Sequence, residues 1–501
     1  MIEGILIGLE TAFSLKNLMM VMIGCFAGTI IGMLPGLGPM TAIALMIPIT
    51  YGFEPSTGLI LMAGVYYGAV FGGSTSSILI NAPGIPGTVA TSFDGYPMAQ
   101  QGKAGKALAI AAYSSFAGGT IAAIFLLIAA PSLSKVSLAF RSPDYFGLMI
   151  LGLTAVSAFS AKGHFLKAMM MVVLGLMLAS VGQDTLSDIP RFTFQNMNLS
   201  DGISFVLVVM ATFAMSEALT IIFKANDPTR VAKQISLSQL GSIKLDKVET
   251  KKMVTTIPRS SVLGFIIGVL PGAGSTIASF LAYGMERNFV NDEEKQKFGK
   301  GSVNGLAAPE TANNAACSGS FVPLLTLGIP GSGTTAVMLG ALLGFGIQPG
   351  PRLYQTNPEI FWSVIMSMYI GMVILLILNL PLIPYIARVL ATPRTFLIPL
   401  ILFFSVTGIY LMSFNNFDIY MMIGIAVIAT ILRLYNFPMP PLILAFVLGG
   451  LMEENLRRSL LISDGSWTFL WDRPLTLIIM LTIILIVVWQ ICKSFLKKTK
   501  V

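Results

Sequence analysis

Long apolar runs follow one another along this chain of 501 residues, and they decide which folds are open to it. Only 11% of the residues are charged, whereas soluble domains have about a quarter. A helix needs about 20 apolar residues to cross a bilayer, and backbone groups inside lipid must bond to each other. We therefore predict an all-α polytopic membrane protein with ten or more membrane helices. The candidate runs are residues 17–34, 107–130, 145–160, 166–181, 204–223, 261–270, 361–380, 396–412, 419–432 and 475–491.

Helix-breaking and hydroxyl residues interrupt this apolar sequence in two places. The stretch FGGSTSSILINAPGIPGT at residues 71–88 shares GIPG with SGSFVPLLTLGIPGSGTT at residues 318–335, at an offset of 244. A second motif, IGMLPGLGP at residues 31–39, returns 236 residues later as IGVLPGAGS at residues 267–275. Two motifs in the same order in both halves predict an internal repeat.

The repeat divides the chain into two halves that are joined by a basic connector. The first repeat is predicted at residues 1–225, with a re-entrant hairpin at about 36–90, and the second at 259–492, with a hairpin at about 304–335. Residues 226–258 form a basic, partly amphipathic connector, and 493–501 a basic tail. Basic loops stay in the cytoplasm, and the amino terminus is poor in basic residues. The connector is therefore placed in the cytoplasm and the amino terminus outside, which requires an odd number of crossings in the first half. The second half would then be inverted, although strict inversion places the tail outside and its lysines favour the cytoplasmic side.

Interrupted segments at matching positions of inverted repeats hold the substrate and ion sites of secondary transporters. Hydroxyls, amides and the N–H groups of broken helix ends attract anions, and freed carbonyl groups can coordinate Na⁺. The candidate substrate-binding residues are Ser74, Thr75, Ser76, Ser77, Asn81, Gly84, Gly87, Asn313, Asn314, Ser318, Ser320, Thr334 and Thr335. The candidate ion-coupling residues are Gly36, Gly38, Gly272, Gly274, Ser275 and Glu310.

Close helix packing is the alternative interpretation of small residues in membrane helices. We assign Gly64, Gly68, Gly118 and Gly119 to packing, because they lie outside the duplicated motifs. The two GIPG segments are assigned to a site, since packing does not require a proline-containing break twice.

Ionisable residues inside apolar sequence are rare and point to function. Glu310 directly precedes the second interrupted segment, where it could be an ion ligand, a proton site or a helix N-terminal charge. Glu217 lies near a helix end, which favours snorkelling or a structural ion pair. The acidic pair 453–454 and the basic pair 457–458 have helical spacing and predict a solvated or interfacial charge cluster.

Several function classes are disfavoured by what the sequence lacks. No lysine follows glycine and precedes serine or threonine, so the phosphate-binding pattern of ATPases is missing. The pattern shows no metal cluster or paired nucleophile and base, so we predict no enzymatic activity and no cofactor beyond a coupling Na⁺ or H⁺. The net charge of +8 comes from loops between apolar runs, which indicates membrane orientation and not nucleic-acid binding.

Long motifs of this sequence resemble the large membrane subunit, TctA, of the tripartite tricarboxylate transporters. The resemblance covers nearly the whole chain. It rests on GMLPGLGPMTAIALMIP, YYGAVFGGSTSSILINAPG, DGYPMAQQGKAGKALAIAA, GLAAPETANNAA and LTLGIPGSGTTAVMLGALL.

The resemblance implies a multi-pass permease of the bacterial inner membrane. It would work with a small TctB-like membrane subunit and a periplasmic TctC-like substrate-binding protein, importing carboxylates such as citrate with a Na⁺ or H⁺ gradient. The family is also similar to the large subunits of TRAP-type carriers, which implies a scaffold and a moving, elevator-like transport domain. The alternatives are an organic-anion channel or a single-component carrier, and then a membrane-embedded enzyme.

Overall fold

A computed structural model describes residues 2–34, 37–137, 139–158, 165–184, 187, 189–223, 241–386 and 394–498. In these ranges the chain is almost entirely α-helical, and the predicted all-α class is confirmed. One two-stranded antiparallel sheet pairs β1 (Gly182–Gln183) with β2 (Pro190–Arg191). The helices are α1 (Ile2–Ala12), α2 (Leu15–Met33), α3 (Gly38–Thr50), α4 (Pro55–Ile80), α5 (Val89–Met98), α6 (Ala104–Ser137), α7 (Ser142–Ala158), α8 (Phe165–Ala179), α9 (Phe205–Val209), α10 (Ser216–Phe223), α11 (Lys247–Val269), α12 (Gly274–Phe289), α13 (Asp292–Lys295), α14 (Val303–Gly319), α15 (Phe321–Leu327), α16 (Gly333–Gly344), α17 (Leu353–Thr356), α18 (Pro358–Asn379), α19 (Ile383–Ile386), α20 (Arg394–Ser413), α21 (Asn416–Leu434), α22 (Pro440–Ile462) and α23 (Pro474–Lys498).

Six helical segments among the described residues are long and apolar enough to cross a bilayer. Five further apolar helices have only 10–17 residues, shorter than a full span of about 20. The described residues therefore provide six full-length candidates, whereas the ten or more membrane helices of the sequence prediction also included shorter apolar runs. The six are Leu15–Met33, Pro55–Ile80, Pro86–Val136, Phe205–Phe223, Pro358–Asn379 and Asn416–Leu434.

The hydroxyl run at residues 74–77 is helical, which corrects the prediction that the chain is already broken there. Helix α4 continues to Ile80, because serine hydroxyls can donate to carbonyl groups of the preceding turn without opening the helix. The Ser76 and Ser77 hydroxyls donate to the Gly73 carbonyl oxygen at 3.1 and 2.9 Å. The break begins only at Asn81, whose φ of 51° lies in the left-handed region.

The second interrupted segment is also narrower than the sequence predicted. Residues 313–319 belong to α14, and the chain stays helical through α15. Gly328 then ends α15 with a φ of 69°, in the same left-handed region as Asn81. We name the two non-helical segments, residues 81–85 and 328–332, the first tip and the second tip.

Glycines hold α2 and α4 in close contact. A Cβ atom on Gly28 would lie 2.3 Å from the carbonyl oxygen of Val65, and one on Gly68 would lie 2.5 Å from that of Cys25. Gly64 faces the same helix at a slightly longer distance. The helix backbones can approach this closely only without side chains between them. The packing role predicted for Gly64 and Gly68 is confirmed.

Replacing Gly68 with alanine should destabilise the protein. The new methyl group would meet the Cys25 carbonyl oxygen at 2.5 Å and the Thr29 nitrogen at 2.8 Å, and backbone atoms cannot rotate away. Overpacking of this kind costs about 1–3 kcal/mol. A thermal unfolding series in detergent measures the loss, with Gly424→Ala as the control because nothing lies within 4 Å of its Cβ position. Equal stability of the two variants would contradict the close packing.

Helix α14 lies among α6, α11 and α12 and joins the two halves of the chain. A Cβ atom on Gly118 of α6 would lie 2.4 Å from the Thr311 carbonyl oxygen. One on Gly119 would lie 2.5 Å from the Met372 side chain, so both glycines have the predicted packing role. The close approach places Glu310 of α14 against helices of the first half.

Part of the predicted connector and tail lies outside the described residues. Residues 224–240 and 499–501 belong to this group, together with His164. The remainder of the connector is described from residue 241, and α11 already begins at Lys247.

Candidate functional site

The first tip lies against duplicated motifs from both halves of the chain. A Cβ atom on Gly84 would lie 1.9 Å from the carbonyl oxygen of Gly32, at the end of α2. One on Gly87 would lie 2.7 Å from Asn313 Oδ1 and 3.1 Å from Ser275 Oγ. Glycine is therefore required at both positions for the backbone to come this close. Four residues predicted for the site, Gly84, Gly87, Asn313 and Ser275, are brought together here.

The second tip makes corresponding contacts. We name PGLG at residues 35–38 and PGAG at residues 271–274 the first and second PG-x-G motifs. The Gly272 N–H donates to the Gly331 carbonyl oxygen at 3.1 Å, which joins the second PG-x-G motif to the second GIPG segment. A Cβ atom on Gly333 would lie 2.9 Å from the sulfur of Met40, which follows the first PG-x-G motif. All four duplicated motifs therefore meet in one region of the protein.

The PG-x-G motifs use glycine where the backbone requires it. Gly38 and Gly274 occupy matching positions and have φ values of 65° and 62°, a conformation that other residues adopt only under strain. Gly272 has a φ of 81°, and its counterpart Gly36 lies outside the described residues. Gly38 and Gly274 each begin a helix, α3 and α12, so a helix N-terminus follows each turn.

Glu310 is a buried carboxylate that is surrounded by hydroxyl groups of the first half. Ser74 Oγ donates to it at 2.7 Å, Ser115 Oγ donates at 2.9 Å, and Thr91 Oγ1 forms a third hydrogen bond. The side chain is fully buried, and within the described ranges no lysine or arginine pairs with it. A buried carboxylate is stable only when it carries a proton or has a cation nearby. The arrangement suits a proton or a small hard cation.

A small void borders this hydroxyl cluster. Its volume is about 10 Å³, close to the space that one water molecule needs, and its polar wall contains Ser74, Thr75, Ser115 and Asn379. The Asn379 side-chain oxygen is buried and has no hydrogen-bond partner. Oxygen ligands of this kind suit Na⁺. A site made of three or more His, Cys, Asp or Glu side chains, which other metal ions use, is not present among the described residues.

Two adjacent asparagines on α14 differ in their hydrogen bonding. Asn314 donates from Nδ2 to the Glu310 carbonyl oxygen at 3.0 Å, within its own helix. Asn313 is fully buried, and neither Nδ2 nor Oδ1 has a partner. Buried amides are nearly always hydrogen-bonded in native proteins. Asn313, beside Gly87, is therefore the predicted site residue whose geometry most clearly leaves groups available for a ligand.

Other predicted site residues are engaged in holding local structure. Asn81 is exposed and ends α4. Ser320 Oγ donates to the Cys317 carbonyl oxygen at 2.8 Å, within the same turn. Thr335 exchanges hydrogen bonds with Ser332 at the start of α16, an arrangement that fixes a helix N-terminus.

Two further candidates occupy different surroundings. Ser318 Oγ donates to the Gly119 carbonyl oxygen at 3.3 Å and accepts from the Tyr67 hydroxyl at 3.4 Å, so it links α14 to α6 and α4. Thr334 is buried in the first turn of α16. Ser318 therefore lies between helices of the two halves, whereas Thr334 follows the second tip.

The sequence interpretation missed Asp94, a buried carboxylate that connects the two halves. Asp94 Oδ1 accepts from the backbone N–H groups of Gly299, Gly301 and Ser302 at 2.9, 2.9 and 2.7 Å. Its Oδ2 accepts from the Tyr283 hydroxyl at 3.0 Å. The available signal was an acid seven residues after the first GIPG motif, but its partners are about 200 residues away. Asp94 thereby holds the loop at residues 299–302 in place, directly before α14.

A second buried carboxylate, Glu286, was also missed. It pairs with Arg259 at 2.8 Å and accepts a hydrogen bond from Thr256 at 2.8 Å and one from Asn304 at 3.3 Å. These contacts connect α11, α12 and α14. The ion pair explains how a fully buried acid is tolerated there.

Predictions for the remaining charged residues agree with the structure. Glu217 forms an ion pair with Arg433, as favoured from its position in the sequence. Arg457 Nη2 contacts Asp184 at 2.5 Å and Glu453 at 2.6 Å, and the Arg457 and Glu453 side chains are about one third exposed. These residues form a partly solvated cluster.

A cavity of about 590 Å³ opens beside the first tip. It lies between the first PG-x-G motif, the first tip and the loop that joins α21 to α22. Its charged residues are Glu217 and Arg433. The volume is typical of a site for a small organic ligand. The lining residues are Leu37–Thr41, Pro83–Pro86, Val89, Phe213, Glu217, Arg433 and Phe437–Pro440.

Comparisons with known proteins agree with these features. The model of the tripartite tricarboxylate transporter TctA family matches residues 18–444. The chain is 42% identical over 466 residues to an uncharacterized 52.8 kDa protein in the TAR-I ttuC′ 3′ region of Agrobacterium vitis, covering 93% of this chain and 91% of that protein. It is 43% identical over 212 residues to a protein in the TAR-II ttuC′ 3′ region of the same organism, covering 42% of this chain and 87% of that protein. No solved structure matches the chain. With its apolar helices and duplicated interrupted motifs, the chain belongs to the tripartite tricarboxylate transporter TctA family.

Proposed function

We propose that this protein is the large permease subunit of a binding-protein-dependent secondary transporter that imports small carboxylates. It works in the bacterial inner membrane with a small TctB-like membrane subunit and a periplasmic TctC-like binding protein, and a Na⁺ or H⁺ gradient drives it. Family membership supports a transport role. The observation that carries the proposal is the meeting of four interrupted motifs in one region, with the buried, unpartnered amide of Asn313 beside Gly87 of the first GIPG segment.

The region around the tips has the chemistry that a carboxylate requires. The Asn313 amide nitrogen can donate to a carboxylate oxygen, and the Ser275 hydroxyl lies beside Asn313, next to the same Cβ position of Gly87. Helices α3 and α12 begin in the same region, at Gly38 and Gly274. Helix N-termini attract negative charge because their first N–H groups lack partners within the helix. Citrate and smaller di- or monocarboxylates fit these features.

Glu310 and its hydroxyl shell serve as the coupling site in this proposal. Protonation of the carboxylate, or Na⁺ binding between it and the surrounding oxygens, would neutralise a buried charge. The hydroxyls that surround Glu310 come from α4, α5 and α6, next to the first tip. The Glu310 site and the site at the tips are thus separated by one turn of α14. Neutralisation of Glu310 and binding of the anion at the tips can therefore favour each other.

Movement is proposed to follow an elevator scheme with two inverted repeats. The support is local: both PG-x-G motifs place glycine at positive φ, and both tips begin with a left-handed residue. Inverted repeats carry broken helices at matching positions around a common site. The part that holds the tips would move against the rest of the protein as a rigid body.

Replacing Asn313 with alanine should lower carboxylate uptake at least about tenfold, because a hydrogen bond to a charged group contributes about 1.5–3 kcal/mol. The assay measures citrate, succinate and tartrate accumulation in proteoliposomes that contain both membrane subunits, with the binding protein added. The matched control is Asn455→Ala, whose amide bonds only within its own helix, to the Leu451 carbonyl oxygen.

Wild-type uptake by the Asn313 variant would remove this residue from the site. Uptake that does not saturate and does not depend on the binding protein would favour the organic-anion channel. Saturable uptake without the binding protein would favour a single-component carrier. Uptake that ignores both Na⁺ and pH gradients would contradict secondary transport.

A further inference from the structure

Arg433 lies in the wall of the cavity beside the first tip, at the end of α21. Its Nη1 pairs with Glu217, and its Nη2 donates to the Thr212 carbonyl oxygen at 2.9 Å. The guanidinium also lies over the Phe213 ring, 5.7 Å from the centroid. Arg433 Nε is buried and has no partner. The arginine is held firmly in place while one of its donors stays unused.

The local backbone explains how the arginine is held. Residues Met210–Met215 form a π-helical turn between α9 and α10, with a wider hydrogen-bond spacing than an α-helix. The Thr212 carbonyl oxygen accepts from Ser216 Oγ at 2.5 Å as well as from Arg433. The turn also places Phe213 and Glu217 on the cavity wall. One irregular helix therefore supplies the carbonyl, the ring and the carboxylate that surround the guanidinium.

Another part of the cavity wall comes from the first tip and the first PG-x-G motif. Pro83 to Pro86 and Leu37 to Thr41 line it, and α3 begins there at Gly38. A positively charged side chain and a helix N-terminus thus border one space next to the proposed substrate site. Arginine binds carboxylates through two parallel hydrogen bonds, which makes it the side chain best suited to recognise them.

We propose that Arg433 binds a carboxylate group of the transported anion, and that Glu217 is the internal carboxylate that occupies the guanidinium when the cavity is empty. The anion would enter the cavity and take the Nη1 donor from Glu217, while Nη2 stays on the Thr212 carbonyl oxygen. The inference rests on the proposed transport function and adds the residue that recognises charge. It assigns Glu217 a competing role that a purely structural ion pair would not have.

The two roles of the ion pair predict different results. If Glu217 competes with the anion, substitutions of Glu217 and of Arg433 change anion binding in opposite directions. If the pair only stabilises the fold, they change it in the same direction. If Glu217 competes, Glu217→Gln leaves an uncompensated guanidinium in the cavity, and anion binding becomes tighter. If the pair only stabilises the fold, then losing either partner weakens the protein and any binding to a similar degree, and losing both together restores it.

The test titrates citrate into the purified protein in detergent and follows the heat of binding. We expect Glu217→Gln to bind citrate about three- to tenfold more tightly and Arg433→Gln at least about tenfold more weakly, since a charge-assisted hydrogen bond is about twice as strong as a neutral one. Arg433→Lys should bind with intermediate affinity, because lysine keeps the charge but not the planar fork. Size-exclusion profiles check folding, and if Arg433→Gln does not fold, Glu217→Gln and Arg433→Lys decide the question.

Unchanged citrate affinity in Glu217→Gln and Arg433→Lys would overturn the inference. Weakening in both single glutamine variants, with recovery in the double variant, would also overturn it and establish a structural pair. Wild-type uptake by Arg433→Gln, combined with lost uptake by Asn313→Ala, would reject Arg433 and leave the proposed function intact. Absence of carboxylate uptake by the wild-type protein would instead reject the proposed function.

Discussion

A Glu310→Gln variant should fold normally and lose gradient-driven uptake by about 100-fold or more, because a glutamine amide can neither take up the coupling proton nor offer Na⁺ a negatively charged oxygen. Glutamine has the same shape as glutamate and can still bond to Ser74, Thr91 and Ser115. A hydroxyl that faces the new amide nitrogen can accept from it and no longer needs to donate, so the shell stays hydrogen-bonded while the charge is lost. In this variant, the stability should therefore remain close to that of the wild type while uptake is lost.

Initial uptake rates in proteoliposomes with imposed Na⁺ and pH gradients measure this effect. The matched control is Glu454→Gln, which removes a half-exposed carboxylate that pairs with Arg458 on the surface of α22. Loss of only the pH response in the Glu310 variant would identify a proton site, and loss of only the Na⁺ response a sodium site. Accumulation at the wild-type rate would rule out Glu310 as the coupling residue.

Replacing Gly84 with alanine should abolish transport and lower stability. The added Cβ atom would lie 1.9 Å from the Gly32 carbonyl oxygen and 2.8 Å from the Gly73 Cα atom. Both are backbone atoms inside packed helices, so either the tip or the end of α2 must shift. Overpacking costs about 1–3 kcal/mol, and the displacement falls directly on the proposed substrate site.

Thermal unfolding and uptake are measured together on this variant. Gly152→Ala is the matched control, since its Cβ position is 3.8 Å from Ile329 Cγ2, an ordinary contact distance. A Gly84 variant that unfolds earlier and does not transport supports the close contact between the first tip and α2. Normal uptake and stability would show that the tip is not packed against Gly32.

Local features of the sequence were sufficient to predict several parts of the protein. The near absence of charge over long runs predicts membrane helices, because hydrocarbon excludes ionised groups wherever they occur along the chain. Glycine spacing predicted the contact surface of α4, and the structure confirms it at Gly64 and Gly68. The duplicated motifs also pointed to the tips, since repetition can be recognised without any knowledge of contacts.

Local patterns gave the wrong boundaries where a tertiary contact opposed the local preference. Residues 74–77 looked like a broken segment because of their glycine and hydroxyl neighbours, yet α4 continues through them. The helix persists there because α2 packs against its glycines and the serines bond within the helix. A sequence pattern cannot weigh a neighbour whose distance along the chain is about 40 residues.

By itself, the sequence determined a helical membrane protein with two pairs of interrupted motifs and an acid, Glu310, beside one of them. Only the tertiary structure decided that the four motifs meet, that Glu310 faces hydroxyls of the other half, and that Arg433 pairs with Glu217. Hydropathy and helix breaking act on neighbouring residues and can be read along the chain. Ion pairs and side-chain hydrogen bonds join residues more than 200 positions apart, so packing alone selects their partners.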